Sequence, residues 1–299
     1  MSKILITGAD GFTGRYLAQT LHEAGHEVHG LVQRAVPEGV HGVSVCHVAD
    51  LSDAQGLAQV VKAVQPDKVA HLAAIAFVAH GDATAMYNTN LVGTRNLLEA
   101  LAAGPSPLTA VLLASSANIY GNALEGCLDE LTPPAPANDY AVSKLAMEYM
   151  ARLYAQRLPL VVVRPFNYTG VGQAESFLIP KIVSHVRRRS PLLELGNLEV
   201  ARDFSDVRNV VQLYHRLLCS PAAVGQTFNV CSGTAHTLTE VIQMVKEISG
   251  HDFEVQVNPD FVRPNEVRRL LGNRSKLDGV VGTVAEIALE DTLRWMLEA

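Results

Sequence analysis

Tyr140 and Lys144 stand four residues apart, so in a helix the phenol and the ammonium share one face. A positive charge beside a phenol stabilises phenolate and lowers its pKa, which suits tyrosine to acid–base work nearer neutral pH. Alone, the pair is better explained as a tyrosine packed beside a lysine whose stem is buried. Ser116 changes that weighing. The apolar run Ala110–Ala114 reads as a buried strand that delivers Ser115 and Ser116 at its carboxyl end, the edge of a parallel sheet where ligands bind. Serine, tyrosine and lysine then form one constellation able to hold an oxygen and move a proton to or from it.

Such a constellation needs a scaffold, and the first residues supply its start. Lys3–Thr7 is a short apolar strand, Gly8-Ala9-Asp10-Gly11-Phe12-Thr13-Gly14 a tight turn, and the residues after it have helical period. Three glycines at every third position let the backbone turn sharply and approach a ligand, while amides at a helix N-terminus favour a diphosphate. The spacing is Gly-x-x-Gly-x-x-Gly, not the commoner Gly-x-Gly-x-x-Gly. A second strand, Glu27–Val32, ends at Gln33-Arg34 instead of the carboxylate that would accept from a ribose 2'-hydroxyl. That leaves room for a 2'-phosphate with Arg34 as its partner, so NADP(H) is expected ahead of NAD(H); the plain alternative is that Arg34 is a solvated loop residue.

Residues 44–48 form a third strand, and Asp50 and Leu51 after it are placed to meet the adenine. Residues 57–64 are helical. The strand over 68–72 follows, and Ala73 and Ala74 offer small side chains where the chain passes a cofactor. Asn90 and Gly93 lie inside a further helix, which they weaken, so a packing or hydrogen-bonding reason is expected for them. The proline-rich loop 133–138 opens the helix of Tyr140. Strands alternating with helices predict a doubly wound parallel α/β sheet.

Composition narrows the classes. With 299 residues, 48% of them apolar, the chain can bury one large core or two fused ones. A strand beginning at Lys3 leaves no room for a cleaved leader, and no apolar run reaches membrane-spanning length, so a cytoplasmic protein is expected. The four cysteines, Cys46, Cys127, Cys219 and Cys231, are scattered without Cys-x-x-Cys or paired histidines at metal spacing; packing roles and no metal are expected. A net charge of −6 argues against a nucleic-acid partner while allowing a local basic pocket. His71 reads as a satisfied core histidine, and His80 as a candidate substrate contact.

Taken together, these residues resemble the extended short-chain dehydrogenase/reductase family of nucleotide-sugar enzymes. The matching pieces are Thr7-Gly8-x-x-Gly11-Phe12-x-Gly14, His71-Leu72-Ala73-Ala74, Asn90-x-x-Gly93-Thr94, Ser116 with Tyr120-Gly121, Tyr140-x-x-x-Lys144, Arg164-Pro165-Phe166-Asn167 and Arg202-Asp203-Phe204-x-Asp206-Val207. They run in the family's order through most of the chain. Gly196-Asn197-Leu198-Glu199-x-x-Arg202-Asp203 and Arg263-Pro264-x-Glu266-Val267 look like signatures shared by GDP-mannose 4,6-dehydratases and GDP-4-keto-6-deoxy-mannose reductases.

The resemblance implies a Rossmann-type fold with a smaller, interleaved C-terminal substrate lobe. Residues 1–167 and about 203–232 would form the NAD(P)-binding unit, and about 168–202 with 233–299 the nucleotide-sugar lobe. It implies that Ser116, Tyr140 and Lys144 are catalytic. The cofactor would border Gly8, Gly11, Phe12, Gly14, Arg34, Asp50, Leu51, Ala73, Ala74, Asn90, Tyr140 and Lys144. Asn167, Lys181, Arg202, Arg263 and Glu266 would hold a GDP-sugar, guanidinium groups matching phosphate geometry. A homodimer packed through the helices of Asn90 and Tyr140 is also implied.

One departure separates activities within the class. The dehydratases carry a carboxylate two residues after the catalytic hydroxyl; here that position is Asn118. An amide cannot shuttle a proton, so reduction of the C4 ketone of GDP-4-keto-6-deoxy-D-mannose to GDP-D-rhamnose is expected over dehydration of GDP-mannose. Other nucleotide-sugar reductases or epimerases, and a non-catalytic dinucleotide sensor, are the alternatives.

Overall fold

The computed structural model describes residues 1–76, 81–121, 126–261 and 268–299. Thirteen strands occur among them. In chain order they are β1 Lys3–Thr7, β2 Glu27–Val32, β3 Val45–Val48, β4 Lys68–His71, β5 Ala110–Ala114, β6 Leu160–Pro165, β7 Asn167–Thr169, β8 Leu192–Leu195, β9 Ala201–Asp206, β10 Thr227–Val230, β11 Ala235–Thr237, β12 Glu254–Val257 and β13 Arg269–Leu270. The helices are α1 Phe12–Glu23, α2 Ala54–Val64, α3 Ala83–Tyr87, α4 Thr94–Ala102, α5 Asp139–Arg152, α6 Leu178–Arg187, α7 Val207–Cys219, α8 Leu238–Ser249, α9 Ser275–Val281 and α10 Leu289–Glu298.

Seven strands make one sheet in the order β10-β6-β5-β4-β1-β2-β3, and every pairing in it is parallel. Its inner strands are apolar on both sides because helices cover both faces: Ile4, Leu5 and Ile6 of β1 are all fully buried. One face packs on α1 and α7 through Leu17, Leu21, Val210 and Tyr214. The other packs on α2, α4 and α5 through Leu57, Leu97, Leu101 and Met147. The fold is thus doubly wound, as expected. The chain reverses its direction of winding between β1 and β4, and the crevice at the carboxyl ends of those strands is where such sheets bind ligands.

Two small sheets lie outside this layer. β9 pairs with β7, β11 and β13, and β8 pairs with β12. A third core joins α6, α8 and α10 through Ile182, Val241 and Leu293. The return to the large sheet occurs at α7 and β10, whereas Asp203–Asp206 stay in β9 because that strand pairs with β7. Leu277 of α9 and Val284 also pack into the core under the large sheet. The C-terminal stretch is therefore shared between both layers.

Candidate active site

Each reactive side chain is presented by a capped or strand-anchored element. Asn138 caps α5, its side chain accepting from the Ala141 amide at 2.9 Å, so the helix starts at Asp139, one residue before Tyr140. Tyr140 and Lys144 both face inward, 8% and 5% exposed. Lys144 Nζ donates to the Ala114 carbonyl at 2.7 Å and so ties α5 to the end of β5. The next residues, Ser115 and Ser116, are buried there, and Ser116 caps the short 3-10 turn Ala117–Tyr120.

Ser116 Oγ accepts from the Asn118 amide and from Asn118 Nδ2, both at 3.1 Å, and hydrogen-bonds the Tyr140 phenol. Two donors from Asn118 thus converge on the Ser116 oxygen. Sequence reasoning saw Asn118 only as a missing carboxylate. Its service as a double donor to the serine became visible only in the turn.

The electrostatics differ from the sequence expectation at one point. Tyr140 is held well above the usual phenol pKa: burial raises it, and the Ser116 hydrogen bond only partly opposes this. Lys144, turned to the Ala114 carbonyl, is not among the groups that lower it. The phenol is consequently a protonated donor near neutral pH. Burial pushes Lys144 down to about 8, and the Glu148 carboxylate, one turn further along α5, pulls it back up.

Glu148 is itself 3% exposed. It receives Arg164 through Nε at 3.0 Å and Nη2 at 2.7 Å, and the Ser115 hydroxyl at 2.6 Å. Arg164 also donates to the Tyr120 hydroxyl, which donates to Asn229. This network fixes the ends of β5, β6 and β10 relative to α5.

On the other side of the crevice the glycine turn is packed too tightly for side chains. Gly8 adopts φ +68°, and a Cβ there would lie 2.9 Å from the Ala73 Cα; on Gly14 it would run into the Gly8 carbonyl. Among the described residues no side chain caps α1, whose first amides face the crevice end of the sheet. That cradle suits a dinucleotide diphosphate. Ala73 donates its amide to the Thr7 hydroxyl at 3.2 Å, and Thr7 in turn meets His71 Nδ1 at 2.7 Å while His71 Nε2 meets Thr94 at 2.8 Å. His71 is a satisfied core histidine, and burial drives it to about 3.

Asn90 has the reason expected for it. It sits in a π turn, Asn88–Gly93, accepts from the Ile75 amide and donates to the Ile75 carbonyl and to Ser143, so it clamps the loop after β4 against α5. A Cβ on Gly93 would fall 2.7 Å from that of Leu51, which is buried against it. Ala74 lies half-buried in the same loop. Asp50 accepts from Gln33 at 2.6 Å and from Ser52, and Arg34 is exposed beyond β2. The ring of Phe12 stacks on Tyr168 at 6.1 Å, and the Tyr168 hydroxyl meets Thr13 at 2.8 Å; Tyr168 was not singled out in the sequence, and no spacing marks it.

Of the residues read as substrate contacts, Asn167 and Arg202 sit on β7 and β9 of a small sheet and Lys181 on α6. Asn167 Nδ2 is buried with no hydrogen-bond partner among the described residues, a donor that a bound ligand would satisfy. Lys181 donates to the Glu194 carbonyl at 3.0 Å and lies over the Phe261 ring. Arg202 donates to the Ala201 carbonyl. Its neighbour Asp203 is fully buried and accepts from Ser232 and Gly233, stapling β9 to the loop after β10. Arg263, Glu266 and His80 lie outside the described residues.

Fold and crevice together define a Rossmann-type, NAD(P)-dependent enzyme. The sequence model described as GDP-mannose 4,6 dehydratase matches residues 5–296. The chain belongs to that family of nucleotide-sugar enzymes. Among its relatives, GDP-6-deoxy-D-talose 4-dehydrogenase of Aggregatibacter actinomycetemcomitans is 35% identical, covering 94% of this chain and 91% of the relative. GDP-6-deoxy-D-mannose reductase of Pseudomonas aeruginosa is 34% identical over 99% of this chain and 96% of the relative. Two solved structures superpose closely. One is a Burkholderia cenocepacia protein proposed to be an epimerase, at 49% identity, TM-score 0.93, covering 99% of this chain and 97% of the other. The second is the Pseudomonas aeruginosa RMD complexed with NADPH, at 31% identity, TM-score 0.86, covering 100% and 98%.

Proposed function

We propose that this protein reduces the C4 ketone of GDP-4-keto-6-deoxy-D-mannose to GDP-D-rhamnose. The observation that carries the reading is the serine–phenol pair whose neighbour is Asn118, a donor to Ser116, where elimination of water would need a further acid/base. Its relation to the Pseudomonas reductase supports the same step.

The nicotinamide supplies the hydride when the cofactor is bound. The chain supplies the rest. Gly8, Gly11, Gly14 and the start of α1 would cradle the diphosphate, with Phe12 packed on Tyr16 and Tyr168 at the first turn of α1. Lys144 and Tyr140 would hold the nicotinamide ribose, with Asn90 fixing the loop that carries Ala73 and Ala74. Tyr140 gives its proton to the oxygen developing at C4, and Ser116 hydrogen-bonds that oxygen. Asn167, Lys181 and Arg202, with Arg263 and Glu266, hold the GDP. NADPH is the preferred cofactor, since Arg34 stands exposed beyond β2 and the Asp50 carboxylate is engaged by Gln33 and Ser52.

The C4 epimer is a second reading, favoured by the 35% identity to the talose enzyme. Purified protein mixed with the keto sugar and either reduced cofactor should lose NADPH absorbance faster than NADH. The product's proton NMR separates the epimers: a large H3–H4 coupling means D-rhamnose, a small one the talose. Conversion of GDP-mannose without added reductant would instead identify a dehydratase.

Val92, Val142, Tyr149 and Leu153 are apolar or aromatic residues exposed on the π turn and on and just after α5, and they support a homodimer through that face. Tyr149→Glu should shift the light-scattering mass to that of one chain if so. Four cysteines without a disulfide agree with a reducing, cytoplasmic setting.

A further inference from the structure

At the amino edge of the large sheet, opposite the edge that carries Ser116, three ligand-type side chains from distant parts of the chain converge. His26 immediately precedes β2, while His215 and Cys219 lie one turn apart on α7. Their ligand atoms all fall within 4.8 Å of one another. The two Nε2 atoms are 3.2 Å apart, with the ring planes at 84°. Two nitrogens each ~2.0–2.1 Å from a tetrahedral ion are separated by ~3.3 Å, so the imidazole pair already has the bite of a zinc site. Cys219 is exposed, which leaves a fourth position to water.

We propose that His26, His215 and Cys219 bind one divalent transition-metal ion of the zinc class, clipping the corner between α1 and β2 to the end of α7. The ion would be structural, since the site lies across the sheet from the hydride-transfer crevice. Both imidazoles bind such an ion as neutral ligands. Lys68 and Arg216 add positive charge around them, and a Cys219 thiolate offsets one of the ion's two charges. His26 Nδ1 faces the Ser2 amide at 3.3 Å, so in the hydrogen-bonded pair the His26 proton sits on Nε2, pointing at His215. Binding moves that proton to Nδ1, gives up the long Ser2 contact and releases the thiol proton, a net loss of one proton per ion.

The test uses the full-length protein, treated with EDTA, dialysed and titrated with Co(II). Intense tetrahedral d–d bands and a thiolate-to-cobalt charge-transfer band should saturate at one equivalent. Zn(II) should bleach both and raise Tm. Cys219→Ser should lose the charge-transfer band. His215→Ala should lose affinity by more than the roughly 10–100-fold typical of removing a second-shell partner. Turnover in the proposed reaction should be unchanged in both. Because Cys219 is exposed, its variant stays folded and remains informative whatever the histidine variant does. No charge-transfer band in the wild type, or the same spectrum and affinity in Cys219→Ser, would overturn the assignment.

Discussion

At Tyr140 the reaction is set by which group holds a proton. A buried phenol whose pKa lies above its ordinary value is protonated near neutral pH, and in the proposed reduction it would enter as the donor that a keto sugar needs. Tyr140→Phe keeps the helix face and removes only that proton, so cofactor affinity should persist by fluorescence titration while kcat falls by roughly 10²–10⁴, the span usual for one general acid. Lys144 supplies the pH dependence. It is charged below about 8 and loses its proton above, so the positive charge held at the Ala114 carbonyl, next to Ser115 and Ser116, disappears as pH rises. The reduction rate should decline above about pH 8, and Glu148→Gln, by removing the carboxylate that props that value up, should move the decline to lower pH. A pH–rate profile of both proteins checks this; an unmoved limb would show that another group is being titrated.

At the scale of elements, the glycine turn and the β5–α5 junction are rigid for different reasons. The turn is rigid because no space remains. A Cβ on Gly14 meets the Gly8 carbonyl and the Ala9 backbone, neither of which can swing aside as a side-chain tip could. Gly14→Ala should cost about 1–3 kcal/mol or more, as overpacking of a tight contact does, and should weaken cofactor binding together with Tm in calorimetry. The junction is rigid through charge. Arg164 and Glu148 face each other as a bidentate pair at 5% and 3% side-chain exposure, and their remaining groups are satisfied by Ser115 and Tyr120. Glycine spacing announced the first arrangement. The second joins positions 115, 120, 148, 164 and 229, which no local pattern connects.

Over the whole molecule, stability carries the imprint of a buried neutral histidine. His71 would bind a proton below 6.5 in the unfolded chain but only near 3 in the folded one. Between those values the unfolded state holds more protons, so the stability present above 6.5 is lost progressively as pH falls toward 3. Urea unfolding midpoints should drop over that interval, and His71→Asn should flatten the drop. The sequence alone determined the doubly wound sheet and marked Ser116, Tyr140 and Lys144 as a candidate set, because strand and helix periodicity, a turn with no room for side chains and an i,i+4 pair are all local. Tertiary structure decided what depends on distance across the fold. It turned Lys144 to the Ala114 carbonyl instead of the phenol, gave Asn118 a donor's part, kept Asp203–Asp206 in a small sheet, exposed Cys127 and Cys219 where packing roles had been expected, and brought His215 and Cys219 to His26. Spacing along a chain fixes neighbours within one turn or one strand; which residues separated by 100 or more positions share a dielectric, a proton or an ion is set only when the layers pack.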